Sequence, residues 1–247
     1  MTVGEIYAFL QGHAPFETAE EYDNVGLLVG SPDMPVCRIL VTLDITPAAV
    51  RTAEEAGAGL IISHHPVIFS PLRRLDAECV PYLLARARIA AICAHTNLDR
   101  AAGGVNDLLA DLLGLADVQT AADGLCRTGR LPESLPPRDF AAFVGRRLGT
   151  PVRMRAGDMP VTRVAVCSGA GGGFLLPLLK KGGITAAVTG ELKHHEWLAL
   201  PPGITVVEAG HYHTEICMAE GVARLLREAF PDAEVTAFAG EPPYMTV

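Results

Sequence analysis

"RILVTLDITPAAVRTAEEAGAGLIISHHP", residues 38–66, decides the fold. Residues 38–44 are an apolar run rich in β-branched side chains, the composition of a strand. Thr46 followed by Pro47 makes an N-cap and a first helical residue, residues 48–56 continue as a helix, and Gly57 ends it. Leu60-Ile61-Ile62 is then a second strand, and two strands joined through a helix form a βαβ unit with the strands parallel. The unit stops at Ser63-His64-His65-Pro66. Adjacent imidazoles at a strand end are either a polar tail meeting solvent or two rings turned toward a metal.

The same layout recurs further along. "RVAVC" (163–167) reads as a strand, "SGAGGG" as a loop, "FLLPLLKKG" as a helix despite Pro177, and "GITAAV" as a strand running into "TGELKHHE". "ARIAAICAHTNLD" (87–99) and "GITVVEAGHYHTE" (203–215) are each a strand followed by His-x-x-x-acid. An amphipathic helix follows each, with Val105, Leu108, Leu109 and Leu112 on one face of the first and Val222, Leu225, Leu226 and Ala229 on one face of the second. The chain reads as an α/β protein of two related, interlocked lobes with mostly parallel sheets, derived by internal duplication. Residues 1–118 form the first lobe and residues 119–247 the second, in one compact unit with the metal site between them. Residues 2–12 predict an opening helix and 20–31 a loop entering a strand. Residues 117–162 read as a lead-in to the second lobe around a helical "RDFAAFVGRRLG".

Of the 247 residues 49% are hydrophobic and 19% charged, the balance of a compact α/β protein and not of a disordered chain. No apolar run reaches the length of a membrane span, and the first residues lack a basic stretch followed by an apolar one. The expectation is a soluble, cytoplasmic protein with no membrane partner. A formal net charge of −8 argues against nucleic acid as the main partner. The six cysteines are scattered without a C-x-x-C pair, which fits small core residues in a reducing compartment.

Four polar motifs stand at the expected C-terminal ends of apolar strands, SHHP, HTNLD, TGELKHHE and GHYHTE, the edge where α/β sheets bind ligands. They hold every histidine except His13. His64, His65, Asp99, His211 and Glu215 supply three imidazoles and two carboxylates, enough for two divalent ions of the Zn, Mn, Fe, Co or Ni type if a carboxylate bridges them. Glu215 is expected in the first turn of a helix capped by Thr214, where the dipole favours an ionised carboxylate. His95 reads as a ligand by analogy with His211, as a partner behind the ligands, or as an ordinary strand-end residue; it is also the evident candidate for a catalytic base. Glu191 and His194 are candidates for lining a substrate pocket, and Asp44 reads as a turn cap. The glycines of "CSGAGGG", Gly169 and Gly171 among them, invite contact with an anionic substrate through backbone N–H groups. The Lys-Ser/Thr of a Walker loop is missing.

"DNVGLLVG", "VTLDITPAAV", "LIISHHPVIF", "AHTNLDRAAGGVNDLLA", "VAVCSGAGGG", "VTGELKHHE" and "AGHYHTE" resemble, in order and over nearly the whole chain, the NGG-interacting-factor-three-like proteins, also labelled GTP cyclohydrolase I type 2 homologues. The resemblance implies two related α/β lobes, a dinuclear metal site, and a toroidal homo-hexamer with its sites facing an internal cavity. By motif match the family's ligands fall on His64, His65, Asp99, His211 and Glu215. Two function classes follow. One is a metal-dependent hydrolase of a phosphorylated or nucleotide-like small molecule, with GTP ring opening as one instance; the other is a metal-handling or regulatory assembly protein without turnover. Family membership alone does not decide between them.

Overall fold

The computed structural model describes residues 1–245. In chain order the elements are α1 (Val3–His13), β1 (Gly26–Val29), β2 (Arg38–Thr42), α2 (Pro47–Ala56), β3 (Leu60–Ser63), α3 (Val80–Ala87), β4 (Ala90–Cys93), α4 (Thr96–Arg100) and α5 (Val105–Leu112). There follow β5 (Ala116–Ala121), β6 (Cys126–Leu135), α6 (Pro137–Leu148), β7 (Arg153–Arg155), β8 (Val161–Cys167), α7 (Gly172–Lys180), β9 (Ala186–Thr189) and α8 (His194–Ala199). The chain ends with β10 (Thr205–Glu208), α9 (His211–Glu215), α10 (Cys217–Ala229) and β11 (Glu234–Phe238).

The βαβ unit forms as its sequence dictates. Thr46 Oγ1 accepts the Ala49 N–H at 3.1 Å, Pro47 opens α2, and Gly57 closes it at φ 66°, a conformation glycine takes without a steric penalty. Ala49, Val50 and Ala53 make the buried face of α2 and pack with Leu40 and Ile61. All four residues of β3 are buried, as expected of a parallel strand covered on both faces. Pro177 lies inside α7 without ending it.

One sheet has the order β1-β4-β3-β2-β11, with β11, β2, β3 and β4 parallel and β1 antiparallel at the edge. The other has the order β5-β6-β8-β9-β10-β7, with a parallel centre of β8, β9 and β10 flanked by antiparallel β6 and β7. The duplication extends to these edges: β1 pairs with β4 as β7 pairs with β10. The series α1-β1-β2-α2-β3-α3-β4-α4-α5 repeats as α6-β7-β8-α7-β9-α8-β10-α9-α10. The lead-in at 117–162 therefore carries more than a helix. It holds the β5–β6 pair, in which β6 adds to β8, and it holds β7.

The chain divides into two units, Met1–Ala102 with Met218–Glu241, and Gly103–Cys217 with the residues from Pro242 on. The sequence places the division at 118/119, and the difference has a physical cause. Leu109, Ala110 and Leu113, on and just after α5, pack with Val164 and Val166 of β8, so α5 belongs with the second sheet. β11, which follows α10, instead pairs with β2 from Glu234↔Arg38 to Phe238↔Thr42. The first half of the chain thus gives α5 and the start of β5 to the second sheet, and the end of the second half gives β11 to the first.

Candidate metal centre

In the first unit, two strand ends deliver three imidazoles. β3 runs directly into His64 and His65, whose N–H groups bond to Thr42 O and Leu43 O and so prolong the pairing with β2. β4 leads through Ala94 into His95, the residue preceding α4. The rings of His64, His65 and His95 lie 5.0 to 5.5 Å apart, centroid to centroid. One ligand atom from each falls within 4.8 Å of the others, a group able to hold a metal ion.

What holds the rings also sets their chemistry. The fully buried His64 has Nδ1 3.0 Å from the Ala94 carbonyl, which can only accept, so Nδ1 carries the proton and Nε2 offers a lone pair. His65 Nδ1 lies 2.7 Å from Asp44 Oδ1, and His95 Nδ1 lies 2.9 Å from Asp23 Oδ1. Carboxylates behind Nδ1 fix the ring and leave Nε2 for a metal, the usual arrangement behind ligating histidines. Asp23 is enclosed. Its oxygens also accept from Asn24 N at 2.8 Å, Thr96 N at 3.1 Å and Thr96 Oγ1 at 2.6 Å. Burial pushes its carboxyl up, but the hydrogen bonds from His95 and Thr96 and the His95 charge outweigh burial and hold it well below the usual carboxylate range. Asp99, on α4, approaches His64 Nε2 at 3.6 Å.

In the second unit, β10 leads through Gly210, at φ 84°, into the short helix α9. His211 Nε2 lies 3.0 Å from Glu215 Oε2, and Glu191 Oε1 lies 3.3 Å from His211 Nδ1. Glu215 is buried at the end of α9 and not in a first turn. Thr214 is no N-cap either: its hydroxyl bonds back to Gly210 O and His211 O and accepts the Gly169 N–H at 3.1 Å. His95/Asp99 and His211/Glu215 are thus corresponding pairs, the first spanning the N-cap and body of the five-residue α4 and the second the two ends of the five-residue α9.

The glycines have a local explanation. A Cβ on Gly169, at φ 55°, would sit 2.0 Å from Glu215 Oε1; one on Gly171 would strike the Cys167 and Thr189 side chains; one on Gly172 would meet Glu196 Oε2 at 2.5 Å. Packing against side chains accounts for all three without an anion. A recess of about 700 Å³ in this unit is lined by Ala170, Gly173, Glu191, Lys193, Glu196 and Glu208, among others. His194 and His195 are exposed on the first turn of α8. The sequence does not single out Asp23, which lies in the loop before β1, and it reads Asp44 as a turn cap; a carboxylate just after an apolar strand, as Asp44 is after β2, is too common a signal to single out.

All six cysteines are free, and no helix among the described residues is long and apolar enough to cross a membrane. Fold and site together define a duplicated α/β protein with a histidine-rich group at its strand ends that could hold metal. The chain belongs to the Duf34/NIF3 (NGG1p interacting factor 3) family, whose model matches residues 1–242. It is 34% identical over 223 residues to the GTP cyclohydrolase 1 type 2 homolog of Lactococcus lactis, covering 86% of each chain. It is also 34% identical over 232 residues to that of Streptomyces coelicolor, covering 86% of this chain and 81% of that one. The crystal structure of Staphylococcus aureus hypothetical protein SA1388 matches with a TM-score of 0.92 at 28% identity, over 100% of this chain and 99% of that chain.

Proposed function

We propose that this protein is a dinuclear metal-dependent hydrolase of a nucleotide-like or phosphorylated small molecule. Its ligands are His64, His65 and Asp99 from the first unit and His211 and Glu215 from the second. The observation that carries the reading is the close group of His64, His65 and His95, each with Nδ1 engaged by an acceptor, in which the first two are read as ligands and His95 as the base beside them. Neutral imidazole nitrogen with carboxylate oxygen suits Zn, Mn, Fe, Co or Ni. The three imidazoles of His64, His65 and His211 with two carboxylates are more than one ion needs, and Glu215 would be the carboxylate the two ions share.

Two ions held there would activate water near neutral pH and stabilise negative charge developing on the substrate. The chain's own residues do the remainder. Asp44 and the Ala94 carbonyl hold His65 and His64 in the tautomer that ligation needs. His95, outside the five ligands and backed by the ionised Asp23, is the proton acceptor: its Nε2 can take a proton while Nδ1–H stays on the carboxylate. A chain of net charge −8 repels anions at long range, so attraction of a phosphorylated substrate would have to come from metal held by these residues. The names of the curated relatives support a nucleotide such as GTP, and the family resemblance supports a cytoplasmic homo-hexamer.

Metal analysis of the purified chain, followed by a nucleotide hydrolysis screen with and without chelator, tests the reading. Two ions per chain and chelator-sensitive turnover support it. Two ions that exchange readily with chelator, with no turnover of any nucleotide, would make this a metal-handling protein instead.

A further inference from the structure

The second half of the chain repeats the first, but no histidine pair follows directly on its strand β9. Ser63 ends β3 as Thr189 ends β9, so Gly190 and Glu191 stand where His64 and His65 stand in the first half. Gly190 is there for space: a Cβ would fall 2.6 Å from Gly169 O, 2.7 Å from Thr214 Oγ1 and 2.9 Å from the His211 Cα. The close approach is fixed by backbone bonds, Glu191 N to Gly169 O at 2.8 Å and Gly210 N to Gly190 O at 3.0 Å. Together they bring the Glu191 carboxylate to within 3.3 Å of His211 Nδ1, while His211 Nε2 faces Glu215. The position used for a histidine in one half is used in the other for a carboxylate behind a histidine.

We infer that Glu191 is a positioning residue for His211, the counterpart of Asp44 behind His65 and Asp23 behind His95, and not primarily a substrate contact. The inference rests on the reading of His211 as a metal ligand. Glu191 differs from Asp23 in one respect that bears on function. Asp23 has no exposed side-chain surface, whereas the Glu191 side chain is 54% exposed and lines the 700 Å³ recess. The carboxylate that orients His211 is therefore open to whatever enters that recess.

Two variants separate orientation from simple charge. Glu191→Gln and Glu196→Gln each remove one negative charge from the wall of the same recess, but Glu196 instead accepts the Lys193 N–H at 2.7 Å. Co²⁺ alone is titrated into the metal-free full-length chain and followed by its visible absorption. Loss of a carboxylate behind a ligating histidine costs about 10- to 100-fold in metal affinity. The expected result is a loss of that size for Glu191→Gln with an altered Co²⁺ spectrum, and wild-type affinity for Glu196→Gln. In a His211→Ala background, Glu191→Gln should cause no further loss. Thermal unfolding of the metal-free variants should match wild type, which separates lost orientation from misfolding. Equal losses in the two Gln variants, or none in Glu191→Gln, overturn the inference while leaving the metal site standing. A wild-type chain that takes up no Co²⁺ overturns the site itself and the inference with it.

Discussion

Asp23 meets His95 at 2.9 Å across 72 positions of sequence, and no part of the Asp23 side chain reaches solvent. A buried carboxylate is costly unless its lone pairs are filled, and here an imidazole N–H, two backbone N–H groups and a hydroxyl fill them. Asp23→Asn keeps the shape but turns an amide N–H₂ toward groups that are themselves donors. We expect it to destabilise the fold by about 1–3 kcal/mol in urea unfolding. If His95 is the proton acceptor, the variant should also lose turnover while keeping both metal ions. Full stability in the variant would mean that the Asp23 contacts contribute nothing net.

The depressed Asp23 carboxyl makes part of the stability pH-dependent. Its folded pKa lies below the unfolded value, so its contribution is complete above the ordinary carboxylate range and is lost as pH falls through the folded pKa. The stability difference between wild type and Asp23→Asn, measured by urea unfolding of metal-free protein, should be constant near neutrality and shrink as the pH drops below about 4. A gap that widens on acidification would reverse the assignment.

Much of this architecture could be read from single residues. Thr46, Pro47 and Gly57 mark the ends of α2 by local chemistry, and they act in the structure as their types demand. The polar motifs after β3, β4 and β10 were visible because an apolar run stops abruptly at histidine. β5 and β6 were not visible: β5 is exposed along most of its length, and β6 contains Gly129, Pro132 and three charged residues, so neither shows alternation. The carboxylates behind the histidines were hidden for another reason. Asp44 and His65 are 21 positions apart and Asp23 and His95 are 72, so only the folded chain pairs them.

Arg127 on β6 offers a test of the exchanged helix. Its side chain is 2% exposed, and it grips Asp107 of α5 through Nε at 2.5 Å and Nη2 at 3.1 Å, with Nη1 on the Gly124 carbonyl at 2.6 Å. Removing one partner of a buried pair leaves the other charge without compensation. Asp107→Ala leaves the buried guanidinium its carbonyl partners but no counter-charge and should cost about 3–5 kcal/mol. Arg127→Met should cost less, because Asp107 is 25% exposed and can be solvated. Urea midpoints in the opposite order would mean that the carboxylate carries the larger desolvation cost.

Gly169 tests whether the metal site can be broken without touching a ligand. Its φ of 55° is in the left-handed region, where a non-glycine residue costs about 1–2 kcal/mol. The larger effect is spatial. A methyl group there would stand 2.0 Å from Glu215 Oε1 and 3.1 Å from His211 Nε2, so the carboxylate must move. Gly169→Ala should therefore lower metal affinity at least tenfold, as expected when a ligand is displaced from its geometry. Its effect on metal-free stability should stay within the backbone cost. Gly173→Ala is the control, since nothing lies within 4 Å of a Cβ at that position. If the glycines instead serve an anionic substrate through their N–H groups, Gly169→Ala should bind metal as tightly as wild type and lose only substrate affinity. Metal titration of the two variants, read against their unfolding curves, decides between a glycine that makes room for Glu215 and one that cradles a ligand.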